Sequence, residues 1–196
     1  MARTLHVFLA LGAGLLAGTN AFAQGGDRRP VFAVVLENRA PSGAAEIGTA
    51  RVRTDYIFGA AGIRIVWLLK GEDVITPAGP GERIHVVLID ESSSRLIPGD
   101  PRTLGFALPA AGRVYVHYDR VHDLATVHGV RTGWFLGVVM AHELVHILLP
   151  RAGHTGGGLM ARSLRPDPAV PAAFTRTVAQ SLRERLSGGA TMLAAR

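Results

Sequence analysis

The chain has 196 residues, with 21 Lys and Arg against 15 Asp and Glu, for a net charge of +6. It contains no cysteine, which excludes disulfides, thiolate metal sites and lipid-modified cysteines. The arginines are scattered rather than run together and Lys70 is the sole lysine, so the basic balance gives no footprint for nucleic acid.

Residues 1–23 read as a secretory signal: Arg3 is the positive start, 5–16 an apolar run, and Ala21-Phe22-Ala23 an A-x-A cleavage site. The run is short for a membrane span and Gly12, Gly14 and Gly18 interrupt it. The mature chain is therefore expected to be residues 24–196, secreted or periplasmic, with no stable membrane insertion. Its length suits one domain with a substantial core. The sequence leaves its oligomeric state open.

Residues 31–36 (VFAVVL) read as a buried strand. Ser42 and Glu46 mark the start of a helix over 43–61, along which Val52, Tyr56 and Ala60 recur at helical spacing, and Gly62 ends it. Residues 63–69 and 84–89 are β-rich, with a loop at 71–81 between them. Residues 90–102 read as an irregular loop, 104–108 and 113–118 as short β segments around a turn, and 121–128 as a short helix. Near the C-terminus, Phe174, Val178, Leu182 and Leu186 form a stripe that predicts an amphipathic helix over 171–187, closed by Gly188-Gly189.

The stretch 134–149 (WFLGVVMAHELVHILL) is apolar on every side and predicts a buried helix that Pro150 ends. Inside it lies His142-Glu143-Leu144-Val145-His146. A carboxylate and two imidazoles inside a buried helix need a partner, because burying an uncompensated charge is very costly. A metal ion would serve. His142 and His146 are four residues apart and leave the same helical face. Glu143 lies about 100° around the helix, placed for a metal-bound water rather than for the ion.

This element order, the H-E-x-x-H helix, a following His154 and then Gly158-Leu159-Met160 resemble the metzincin zinc peptidases. The segment AHELVHILLPRAGHTGGGLM is also similar to small secreted bacterial proteins sharing H-E-L-x-H-x-L-L and H-x-x-x-G-I-M. The resemblance implies an α+β, zincin-like catalytic domain over 24–196, with a small mixed twisted sheet, a buried active-site helix and flanking helices. It implies one zinc ion per chain, held by His142, His146 and His154, with Glu143 as general base and Met160 in a turn beneath the metal. Two departures stand out. His154 comes eight residues after His146 where the family pattern has six, and Leu149 occupies the slot of the family's turn glycine. A bend at Gly153 is expected to bring His154 back.

Three neutral imidazoles leave zinc one open position, in which a water is activated. The expected activity is a secreted zinc-dependent endopeptidase acting on peptide or protein substrates. The alternatives are a non-catalytic zinc-binding or interaction protein of the same fold and a zinc amidase acting on a small molecule. Retention of Glu143 favours catalysis, since binding needs only the histidines. The rivals to His154 as third ligand are Glu184 and Asp167, while His85, His117, His122 and His128 are neither spaced nor clustered like ligands.

Overall fold

The computed structural model describes residues 29–69, 83–97, 100–169 and 172–193. The signal pattern at 1–23 and the expected loop at 71–81 lie outside them. In chain order the elements are β1 (Val31–Asn38), α1 (Ala44–Ala60), β2 (Arg64–Leu69), β3 (Arg83–Ile89), α2 (Glu91–Arg95) and β4 (Gly105–Leu108). After a 3-10 turn at Pro109–Ala111 come β5 (Arg113–His117), α3 (Tyr118–Val127), α4 (Thr132–Leu148) and α5 (Arg176–Leu193). The five strands form one mixed sheet in the order β2-β1-β3-β5-β4. β1, β2, β3 and β5 are mutually parallel, and β4 lies antiparallel to β5 at the edge. Among the described residues no helix is long and apolar enough to cross a membrane.

Successive strand residues point to opposite faces, and the register collects the core onto one of them. Val34 stands opposite Ile84, Leu36 opposite Val86, Val86 opposite Val114 and Leu88 opposite Val116, all of them buried. α1 and α4 cover this face. Phe32 of β1 meets Phe58 of α1 edge-on at 5.2 Å between ring centres, and Phe58 meets Phe174 at 5.0 Å.

The expected helix over 43–61 forms as α1, and the residues that recur at helical spacing lie on its outer side. Val52 and Tyr56 are 70% and 66% exposed, while Ala50, Thr54, Ile57 and Phe58 are buried. Ala50 and Thr54 are the small inward residues, at the part of α1 that packs directly on α4. Ser42 does not cap the helix; its hydroxyl donates to Asn38 Oδ1 at 3.0 Å. Glu46 folds back to the Gly43 amide at 3.4 Å and accepts the Tyr118 hydroxyl at 2.7 Å, tying α1 to α3. At the other end Gly62 takes a left-handed φ of 74°, and the Arg183 guanidinium of α5 donates to the Ala61 carbonyl at 2.9 Å. A cation there suits the negative end of the helix dipole.

Two further boundaries differ from the sequence reading. The expected loop over 90–102 contains α2, where the Asp90 carboxylate accepts the Ser93 amide at 2.8 Å. α5 starts at Arg176 because Thr175 Oγ1 accepts the Val178 amide at 3.3 Å, and it runs through Gly188-Gly189 to Leu193. Two glycines weaken a helix by about 1 kcal/mol each without forbidding it, and no proline follows them here. The apolar stripe holds: Leu182 is fully buried, and Phe174, Val178 and Leu186 pack around the same core.

Candidate metal centre

α4 is buried from Phe135 through Val145, and it carries His142 and Glu143 into the core at 4% and 6% exposure. The helix stops as the sequence predicts. The Leu149 amide still bonds the Val145 carbonyl at 2.7 Å, and Pro150 then turns the chain, with the Ala152 amide returning to the Leu149 carbonyl at 2.9 Å. Proline at the second position of such a turn has its φ already set. The turn that brings back His154 is therefore built on Pro150 rather than on Gly153, whose φ is not positive. The two extra residues between the histidines are taken up by this turn.

The loop beyond it is tied to the helix. The Thr155 amide donates to the Met160 carbonyl at 2.7 Å, Thr155 Oγ1 donates to the Gly157 carbonyl at 2.7 Å, and Thr155 bridges Ala161. His142 Nδ1 bonds the Leu159 carbonyl at 2.7 Å. A carbonyl only accepts, so Nδ1 carries the proton and Nε2 is left with a free lone pair. No sequence pattern marks this partner, since a backbone carbonyl has no residue signature. Met160 is buried in the core.

These constraints bring three imidazoles together. Ring centres lie 4.8 Å apart for His142 and His146, 5.3 Å for His142 and His154, and 5.0 Å for His146 and His154. One nitrogen from each lies within 4.8 Å of the others. His142 Nε2 and His146 Nε2 face each other at 3.2 Å. That separation matches the edge of a tetrahedron around zinc, about 3.3 Å for Zn–N distances of about 2.0–2.1 Å. Burial depresses the pKa of both, that of His142 to about 4, which keeps them in the neutral form a metal requires. The donor set fits a zinc ion.

Among the described residues this is the one group of three or more potential ligands close enough to hold an ion. Glu184 lies outside it, accepting Gln180 Nε2 at 2.8 Å on the exposed side of α5, and Asp167 accepts the Ala169 amide at 2.8 Å. His117 is buried at the end of β5 with its Nδ1 2.6 Å from Ser94 Oγ, a packing role.

Glu143 lines the same cleft of about 560 Å³ as His142 and His154. The first residue of the edge strand presses on it: a Cβ at Gly105 would stand 3.0 Å from Glu143 Cγ and 3.2 Å from Oε1. Only a residue without a side chain lets β4 lie this close to the carboxylate. Burial raises the Glu143 pKa to about 8, because a carboxylate taken out of water disfavours its charged form.

These shifts predict a pH optimum for the stability of EDTA-treated protein. A carboxyl raised from 4.5 to about 8 is protonated when folded and ionised when unfolded between those values. It therefore removes stability as pH rises through that window. His142 and His117, lowered from 6.5 to about 4, act oppositely and remove stability as pH falls below 6.5. The balance favours pH near 6.5. From there to pH 8 Glu143 acts alone, at about 1.4 kcal/mol per unit or roughly 2 kcal/mol in all. Urea denaturation at the two pH values measures this. Glu143→Gln should flatten the decline, and a decline unchanged in that variant would refute the assignment.

No family model and no curated protein matches the chain. Among solved structures it is similar to a zinc-dependent peptidase from Methanocorpusculum labreanum (strain Z). The identity is 14% and the TM-score 0.48, over 78% of this chain and 99% of that one.

Proposed function

We propose that the chain is a zinc-dependent endopeptidase of metzincin-like type. The observation that carries this reading is the convergence of His142, His146 and His154 on one point, beside a carboxylate that lines the same cleft. His142, His146 and His154 are the residues that would hold the ion. Once bound, zinc would polarise a scissile carbonyl and lower the pKa of a water in its open position toward about 7.

Glu143 supplies the proton chemistry. Among the described residues nothing donates a hydrogen bond to its carboxylate, so both oxygens are free for a water in the cleft. It takes the proton as the water attacks the amide carbon, then returns it to the leaving nitrogen. The Leu159 carbonyl holds His142 in the ligating tautomer, and the buried Met160 supports the loop that delivers His154. β4 is the sheet edge bordering the cleft, and an edge strand offers unpaired N–H and C=O groups to an extended peptide. This favours a peptide over a small-molecule amide. The pattern at residues 1–23 supports placing the activity outside the cytoplasm.

The test is Glu143→Gln assayed on unfolded protein substrate with metal content measured alongside. Turnover should fall by about 10²–10⁴-fold while the zinc to protein ratio stays at one. A non-catalytic zinc protein would show no turnover to lose, and an amidase would cleave small amides but no polypeptide. Undiminished proteolysis in the variant would refute Glu143 as the base.

A further inference from the structure

Besides its histidines, four acidic or basic side chains line the cleft: Asp100, Arg102, Glu143 and Arg162. Asp100 and Arg102 hold each other, with the guanidinium 2.9 Å from Oδ2 and a second contact at 3.1 Å to Oδ1. The Asp100 carboxyl is pulled down to about 2 by that partner, so the pair is zwitterionic and contributes no net charge. Glu143 is buried against Gly105. Arg162 differs from all three. It is exposed, stands two residues beyond Met160, and among the described residues makes no hydrogen bond or ion pair. The cleft thus presents one uncommitted guanidinium beside the histidine cluster.

A guanidinium is a planar fork of donors matched to a carboxylate, and an unpaired one in a cleft selects for that shape and charge. We propose that Arg162 determines specificity by pairing with a peptide carboxylate close to the scissile bond. This rests on the peptidase reading of the same cleft. The carboxylate has two sources, an Asp or Glu side chain or the free C-terminus of the substrate.

The experiment uses N-acetylated fluorescent peptides that differ at one central residue, Glu, Gln or Lys, with amidated C-termini, plus the Gln peptide with a free C-terminus. Their binding to zinc-loaded Glu143→Ala protein is read by anisotropy, and their cleavage by the unsubstituted chain is followed in parallel. The Glu peptide or the free-acid peptide should bind about two- to fivefold more tightly than the amidated Gln peptide. Which of the two does so identifies the source. Arg162→Gln should level the series, and Arg162→Glu should turn the preference toward Lys. Binding that ignores charge, a failure to bind any peptide, or an acid preference that survives Arg162→Glu overturns the proposal. Acid preference without cleavage would sink the peptidase reading and leave only the pairing of Arg162 with a carboxylate, and cleavage without charge preference would do the reverse.

Discussion

Gly137→Ala is expected to destabilise the protein by about 2–4 kcal/mol, although alanine is the better helix former. A Cβ at 137 would stand 2.5 Å from the Ala50 carbonyl and 2.7 Å from Arg53 Cβ. One turn earlier, a Cβ at Gly133 would meet the Glu46 carbonyl at 2.6 Å. The two carbonyls are backbone of α1 and cannot swing aside, so the two helices would have to part. Parting them breaks the bond from Thr54 Oγ1 to the Gly137 carbonyl, 3.2 Å long. It also lifts the Arg53 guanidinium from the Trp134 ring, 4.8 Å away. A loss of this size is a large share of a domain stability of about 5–15 kcal/mol. Gly48→Ala is the control: it is also helical, but a Cβ there meets nothing within 4 Å. That variant should gain up to about 1 kcal/mol. Thermal unfolding of the two proteins decides it. If both are stabilised alike, close helix contact is not what Gly137 provides.

The H-E-x-x-H helix was legible because the cost of burying charge made its apolar surroundings informative. The argument needs only the types of the flanking residues, and α4 matches the expected span to within two residues at each end. The strands were legible for a different reason: they are short apolar, β-branched runs bounded by turn residues. The recurrence of Val52, Tyr56 and Ala60 located α1 but did not give its buried face, which carries Ala50, Thr54, Ile57 and Phe58 instead. Gly133 and Gly137, four apart on α4, carried the missing information, since small residues at that spacing admit a second helix backbone. α2 is five residues long, too short for periodicity to register, and only the Asp90-to-Ser93 capping spacing betrayed it. The route of the chain from His146 to His154 depended on one backbone turn at Pro150. Its end point could be expected from the motif, but the turn itself could not. Arg162 carries no sequence signal beyond standing two residues past Met160, because freedom from a partner is a property of three-dimensional surroundings.

The three histidines should not be equivalent when removed. His142 is held at 2.7 Å to a backbone carbonyl and is buried, so its lone pair is aimed before any ion arrives. His146 leaves the same rigid helix face, its Nε2 3.2 Å from that of His142. His154 is exposed and sits on a loop, so it must be ordered when the ion binds, which offsets part of its contribution. His142→Ala or His146→Ala should therefore abolish stoichiometric zinc, whereas His154→Ala should lower affinity by at least the roughly 10–100-fold that loss of an outer-shell partner costs and still abolish hydrolysis. Stability reads the same order. An ion that binds only the folded chain adds about 4 kcal/mol when free zinc is at 1,000 times Kd, a rise of roughly 10 °C in Tm for a domain of this size. The unsubstituted protein should show that rise, His154→Ala a smaller one at the same zinc concentration, and the two helix variants none. Glu184→Gln should behave as unsubstituted protein, because Glu184 is committed to Gln180 away from the cluster. Zinc lost from Glu184→Gln but kept by His154→Ala would move the third ligand to α5. The loop from Pro150 to Met160 would then have no part in holding the ion.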